Sequence, residues 1–178
     1  MKRIIYDLEL TCWEGQSFAS KQEIIEIAAF QLNEYGDVDS EFQSFIQPVL
    51  APYLSNYCKQ LTGIQQQDIS RAETFDQIIE DFRYWLPDEE LLFIAWGHKD
   101  EKFLKADCDQ HEIDTHWIPR HLDLKKSYAL FHGLNHTVGL KKALQYEGIE
   151  FEGQHHRAYW DAWNTTELYR IHMGTWPG

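Results

Sequence analysis

The sequence contains few cysteines, and their positions exclude several classes of protein. Cys12, Cys58 and Cys108 are odd in number and lie far apart in a chain of 178 residues. A small disulfide-stapled domain needs paired cysteines, and a structural zinc site is usually marked by closely spaced ligands such as CxxC. We therefore expect free thiols, no structural zinc site, and a cytoplasmic protein in a reducing compartment.

Long apolar runs and nucleotide-binding loops are also absent from the sequence. No stretch of about 18 apolar residues appears, so we expect no membrane span, and the N-terminus lacks the pattern of a signal peptide. The chain has no GxGxxG and no Walker loop. It also has no internal repeat, low-complexity stretch or linker, and we therefore assign residues 1–178 to a single domain.

Positive charge is scarce. The chain has 16 Lys and Arg residues against 29 Asp and Glu residues, which gives a formal net charge of -13. Proteins that bind nucleic acid usually carry a basic stripe, so this balance argues against tight, non-specific binding to long duplexes. The objection weakens if carboxylates cluster around divalent cations, because bound ions would reverse the local field.

The hydrophobic pattern predicts an α/β fold with a central sheet. Three strands separated by short turns suggest an antiparallel meander, and a continuous apolar run between Pro87 and Gly97 is typical of a central parallel strand. The predicted strands are residues 2–10, 23–32, 39–46, 91–96 and 116–124. The predicted helices are residues 52–59, 74–86, 100–110, 124–132, 138–146 and 157–172.

Asp7 and Glu9 are the first candidates for chemistry. They lie two residues apart on a predicted strand, so their carboxylates point to the same side. Two neighbouring anions are costly unless they share a cation, and oxygen ligands favour a hard ion such as Mg²⁺ or Mn²⁺. The alternative is a solvent-facing acidic pair on an edge strand, which the apolar residues before Asp7 make less attractive.

Two further segments place acidic groups and a histidine near element ends. Asp100 follows the buried strand, where ligand sites of open α/β sheets lie, although an aspartate there is often only a helix N-cap. His156 lies in a loop five residues before Asp161, which falls one turn into the last predicted helix. A histidine is a natural base for activating water, whereas the alternative is a polar loop at His155 and His156.

Taken together, these segments resemble the DEDDh 3'-5' exonucleases of the ribonuclease H-like superfamily, most closely the Eri1 or 3'hExo type. The resemblance spans residues 3–172. It is carried by YDLELTCWEG at 6–15, QEIIEI at 22–27, AWGHKD at 95–100 and HRAYWDAWNT at 156–165, with connectors LSNYC at 54–58, LTGI at 61–64 and AETF at 72–75. Many relatives have an aspartate directly before the final catalytic aspartate, where this chain has Trp160.

The resemblance implies a fold, a set of site residues and a reaction. The fold is a central mixed sheet of five strands, three antiparallel and then parallel ones, flanked by helices. The resemblance implies that Asp7, Glu9, Asp100 and Asp161 hold two divalent ions, Mg²⁺ or Mn²⁺, and that His156 is the general base. The substrate would be the 3' end of a single-stranded nucleic acid, with RNA favoured and 5'-mononucleotides as products.

From proximity to the first motif, we expect Leu10, Thr11 and Trp13 to bind the terminal nucleotide. Three alternatives stay open: a DNA-directed proofreading or trimming exonuclease, a catalytically silent binding module on the same fold, and an acidic interaction protein in which the motif order is coincidence.

Overall fold

Five strands form the central sheet of the computed structural model, which describes residues 1–15 and 22–176. The strands are β1 (Lys2–Leu10), β2 (Ile24–Leu32), β3 (Val38–Phe45), β4 (Leu91–Ala95) and β5 (Arg120–Asp123). Their spatial order is β3-β2-β1-β4-β5. β2 is antiparallel to both β1 and β3, whereas β4 is parallel to both β1 and β5. This arrangement confirms the predicted mixed sheet.

Helices cover both faces of this sheet. They are α1 (Asn56–Thr62), α2 (Gln66–Ile69), α3 (Phe75–Trp85), α4 (Lys99–Gln110), α5 (Leu124–Phe131), α6 (Leu140–Tyr146) and α7 (Ala158–Ile171). The apolar residues of α3 and α4 pack on one face of the sheet, and those of α5, α6 and α7 pack on the other. Side chains of β1 alternate between the two faces of the sheet. Ile4 and Tyr6 pack with α3 and α4, whereas Ile5 packs with α5, α6 and α7.

Two of the predicted elements were wrong in position, and one short helix was not predicted. The helix predicted at 52–59 begins only at Asn56, because the Ser55 hydroxyl caps it by accepting a hydrogen bond from the Cys58 N–H. That helix extends through Thr62, where a turn was predicted. The strand predicted at 116–124 is confined to Arg120–Asp123, since a turn closed by the Ile118 N–H and the Thr115 carbonyl precedes it. The short helix α2 was not predicted.

The free thiols were predicted correctly. Cys12, Cys58 and Cys108 are all free cysteines. Within residues 1–15 and 22–176, no helix has both the length and the apolar character needed to cross a bilayer.

Candidate active site

β1 positions Asp7 and Glu9. Both residues lie on the same side of the strand as Ile5, the side that faces α7. The parallel pairing of β1 with β4 ends at the Ile5–Ile94 pair, whereas pairing with β2 continues to Leu10. The two carboxylates therefore lie beyond the carboxyl end of β4, where open α/β sheets bind their ligands.

Helix α7 brings Asp161 to these carboxylates. Two small residues, Ala158 and Ala162, pack against Ala28 and Phe30 of β2, which lets the first turn of α7 approach the sheet closely. Carboxylate oxygens of Asp7, Glu9 and Asp161 lie within 4.8 Å of one another. The predicted convergence of β1 with the last helix is therefore present in the structure.

Asp100 lines the same cleft from α4. It is the second residue of that helix, and the N-cap position is His98. Burial raises the pKa of Asp100 to about 6, although hydrogen bonding from its own backbone N–H and from that of Leu8 favours the charged form. The cleft has a volume of about 570 Å³ and is lined by Asp7, Glu9, Asp100, Asp161 and His156, among other residues.

The electrostatics of the cleft favour the binding of a positive charge. Burial and then the neighbouring carboxylates raise the pKa values of Asp7 and Glu9, and burial raises the pKa of Asp161 to about 7. Oδ2 of Asp161 accepts a hydrogen bond of 3.1 Å from the His156 N–H, but the buried Oδ1 has no hydrogen-bond partner. The nearest charged partner of Oδ1 is Nε2 of His155 at 4.0 Å, which is beyond hydrogen-bond distance. A set of carboxylate oxygens, one of them buried without a hydrogen bond, fits a hard divalent cation.

His156 reaches the cleft from the loop before α7. Its backbone adopts a φ of +62°, which is uncommon for a residue other than glycine, and its ring lies 3.9 Å from the ring of His155. Burial and then the charge of Lys141 lower the pKa of His156. The imidazole of His156 is therefore neutral near pH 7 and able to accept a proton, whereas His155 lies outside the cleft lining.

A buried ion pair, which the sequence analysis missed, supports this loop. The Arg157 guanidinium donates two hydrogen bonds of 3.0 Å to the carboxylate of Glu26, and the Ala158 N–H donates a third. Glu26 is fully buried on β2 and pairs with Glu9 on the neighbouring strand β1. An acidic residue inside the apolar run of β2 was the sequence signal for this role, because a buried carboxylate requires partners.

The loop also depends on a glycine that faces Trp160. Gly153 has a φ of +75°, and a Cβ atom there would lie 2.0 Å from Cδ2 of Trp160. Trp160 thus lies directly against the loop that carries His156.

The three residues expected to bind the terminal nucleotide are placed differently from one another. Leu10 lines the cleft. Thr11 is buried, and its hydroxyl accepts a hydrogen bond of 3.0 Å from the Glu23 N–H, so it supports the end of β1. Trp13 is half-buried and is not among the cleft-lining residues of the described chain.

Three lysines that the sequence analysis did not assign to the site line the cleft as well. They are Lys99 at the start of α4 and Lys125 and Lys126 at the start of α5. The cleft therefore combines a carboxylate floor with ammonium groups, despite the acidic chain.

Several known proteins are similar to this chain in sequence and in fold. Residues 4–169 match the sequence profile of the family described as Exonuclease (RNase_T). The chain is 34% identical to ERI1 exoribonuclease 2 of Danio rerio over 93% of this chain, and it spans 34% of that relative. It is 29% identical to the 3'-5' exonuclease eri1 of Schizosaccharomyces pombe, over 94% of this chain and 66% of that one.

One solved structure covers nearly the same extent as this chain. It is the nuclease domain of 3'hExo, a DEDDh family member, bound to rAMP. It superposes with a TM-score of 0.89 at 26% identity, and the match covers 98% of this chain and 92% of that one.

Proposed function

Because the chain belongs to the exonuclease family, we propose that it is a metal-dependent 3'-5' exonuclease that shortens single-stranded RNA to 5'-mononucleotides. The family membership confirms the resemblance to DEDDh exonucleases and the predicted ribonuclease H-like fold. The observation that carries the proposal is the convergence of Asp7, Glu9 and Asp161 within 4.8 Å, in a cleft that also contains Asp100 and His156.

The four acidic residues Asp7, Glu9, Asp100 and Asp161 would hold two Mg²⁺ or Mn²⁺ ions. When bound, such ions polarise the scissile phosphodiester and stabilise the charge that develops on its oxygens. The raised pKa values of Asp7 and Asp161 and the absence of a hydrogen bond to Oδ1 of Asp161 support this assignment. A nearby cation would stabilise the charged carboxylates and would give this oxygen a partner.

His156 would act as the general base. Its neutral imidazole has a ring nitrogen free to accept a proton from the attacking water, and burial favours that neutral form. The hydrogen bond from its backbone N–H to Asp161 fixes the loop relative to the carboxylates. Arg157 and Glu26 act as positioning residues, because they anchor the chain one residue beyond the base.

The substrate would enter along the lysines at the cleft. Lys99, Lys125 and Lys126 provide point charges for backbone phosphates, and Leu10 provides an apolar contact for the terminal base. Trp13, beside the end of β1, remains our candidate for stacking on that base, and Thr11 would contribute by fixing this segment. RNA is favoured because the relative with the TM-score of 0.89 binds rAMP.

The free thiols support our proposal of a cytoplasmic location.

The decisive experiment uses matched RNA and DNA oligonucleotides labelled at the 5' end, incubated with Mg²⁺, with Mn²⁺ or with a chelator. We expect a ladder of products shortened from the 3' end, faster on RNA, with no ladder after chelation or in Asp161→Asn. Faster trimming of DNA would point to a DNA-directed enzyme. No product on either polymer, from protein that binds Mn²⁺ normally, would contradict the proposal and leave a binding module.

A further inference from the structure

A second cluster of potential metal ligands lies at the far end of α7. The side chains of His132, Glu147 and His172, here called the His–Glu–His cluster, offer ligand atoms that all lie within 4.8 Å of one another. Nε2 of His132 is 3.0 Å from Oε1 of Glu147, and Nε2 of His172 is 3.2 Å from Oε2. The side chain of Glu147 is 13% exposed, so a cation there would be only partly hydrated.

Three helices end at this cluster. His132 is the C-cap of α5, Glu147 is the C-cap of α6 and His172 is the C-cap of α7. Each helix carries a partial negative charge at its C-terminus, from carbonyl groups without intrahelical partners. The convergence of three such ends therefore favours a positive charge, independently of the carboxylate of Glu147.

Neighbouring groups orient Glu147 and pack against His172, whereas His132 lies at the exposed edge of the cluster. The hydroxyl of the buried Tyr128 donates a hydrogen bond of 2.8 Å to Oε1 of Glu147, which fixes the carboxylate. The rings of Phe131 and Trp176 pack 4.7 Å and 5.5 Å from that of His172. A hydrogen-bonded ligand inside an apolar shell is the usual second layer of a metal site.

We propose that the His–Glu–His cluster binds one Zn²⁺ ion, with a water molecule in the fourth position. Two imidazole nitrogens and one carboxylate are a donor set typical of zinc, and ligands about 2.0–2.2 Å from the ion lie roughly 3.3 Å from one another in a tetrahedron. The observed separations of 3.0 and 3.2 Å are close to that spacing.

This site is separate from the catalytic one in both position and chemistry. Asp161 lies in the first turn of α7 and His172 directly follows its last residue, so the helix places them about 16 Å apart. The catalytic cleft offers mainly carboxylate oxygens, which suit Mg²⁺ or Mn²⁺, although ligand atoms of His155 and His156 lie within 4.8 Å of those of Asp161. The His–Glu–His cluster offers two imidazole nitrogens and one carboxylate, which suit zinc. The proposal departs from the expectation, based on cysteine and histidine spacing, that the chain has no structural zinc site, because its ligands are far apart in the sequence.

The test is a Zn²⁺ titration of the full chain by calorimetry, with Mg²⁺ in excess to occupy the oxygen site. We expect one equivalent of Zn²⁺ in the native chain and in Asp161→Asn. Affinity should fall at least about 100-fold in Glu147→Gln and in His172→Gln, and about 10- to 100-fold in Tyr128→Phe. His111→Gln is the matched control, because His111 also pairs with a carboxylate, that of Asp76 at 2.9 Å, and should bind Zn²⁺ normally.

A measurement on the unsubstituted chain protects the test against variants that fail to fold. Zn²⁺ should raise the unfolding midpoint, because the ion joins three helix ends, and Co²⁺ in its place should give the visible absorption of a low-coordinate site. No Zn²⁺ equivalent in excess Mg²⁺ would overturn the proposal and leave only a hydrogen-bonded ion pair. So would binding that persists unchanged in Glu147→Gln, or binding that disappears in Asp161→Asn.

Discussion

His155 and His156 are adjacent imidazoles whose ring centroids lie 3.9 Å apart at an interplanar angle of 48°, yet only His156 lines the cleft. The sequence alone could not separate them except through the spacing of a family motif. Their backbones differ as well, because only His156 has a positive φ, and this conformation helps to turn its side chain toward the carboxylates.

We expect His156→Ala to lower the rate of RNA shortening by about 10²- to 10⁴-fold, the usual contribution of a general base. Mn²⁺ affinity should stay nearly normal, because the carboxylates are untouched. His155→Ala is the control and should retain activity within about tenfold. An active His156→Ala enzyme, measured under conditions where the chemical step limits the rate, would remove the base assignment.

The pair formed by Arg157 and Glu26 gives a second prediction at this scale. Arg157→Lys keeps the charge but loses the bidentate contact to a fully buried carboxylate. We expect a loss of about 1–3 kcal/mol in the free energy of unfolding and a reduced rate, measured by chemical denaturation and single-turnover kinetics.

Arg170→Lys on the same helix is the matched control for that substitution. Arg170 forms an exposed pair with Glu167 at 2.7 Å, and surface pairs contribute little. If both substitutions cost the same free energy, burial of the Glu26 pair has no special importance.

At the scale of elements, the loop before α7 depends on the contact between Gly153 and Trp160. In Gly153→Ala the new Cβ would lie 2.0 Å from Cδ2 of Trp160, so either the ring or the loop must shift. We expect a loss of at least about 2 kcal/mol in unfolding free energy, together with a slower reaction, because the same loop carries His156.

Gly148 offers a control with nearly the same backbone. Its φ is +72°, but a Cβ atom there would meet nothing within 4 Å. Gly148→Ala should therefore show only the backbone cost of about 1 kcal/mol, with normal activity. Equal losses in unfolding free energy and rate would mean that the contact with Trp160 is unimportant.

The elements that sequence predicted well are those with a strong apolar pattern. β1, β4 and α3 have continuous or periodic apolar residues and were predicted within one residue at each end. The start of α1 depended on one side-chain cap at Ser55, and α2 depends on a capping box between Gln65 and Asp68, so periodicity could not find them.

The candidate site could also be predicted only in part from the sequence. Motif spacing identified four residues that lie together in the structure, namely Asp7, Glu9, His156 and Asp161. Glu26, Arg157 and the cleft lysines were missed, because their roles arise from contacts between residues far apart in the chain.

For the whole molecule, the raised pKa values link cation binding to pH. A carboxylate whose folded pKa is raised holds a proton that the unfolded chain has already released. These groups therefore stabilise the ion-free protein more as the pH falls through about 7 to 6, the pKa values of Asp161 and Asp100. The lowered pKa values of His155 and His156 act in the opposite direction.

We therefore expect the rise in unfolding midpoint caused by Mg²⁺ to be large at pH 7.5 and to shrink as the pH falls toward about 5.5, where protons occupy the ligands. The measurement is a series of thermal melts with and without Mg²⁺ at each pH. Asp161→Asn should show a small, flat difference. A Mg²⁺ effect in the native chain that is independent of pH would mean that the ion binds elsewhere.

The positive φ of His156 has one more consequence. For residues other than glycine this left-handed conformation costs roughly 1–2 kcal/mol, so the chain holds an imidazole where glycine would relax the backbone. His156→Gly should thus give a molecule that is harder to melt and that shortens RNA about 10²- to 10⁴-fold more slowly, as expected for His156→Ala. At this position the stability of the fold favours glycine, whereas catalysis requires histidine.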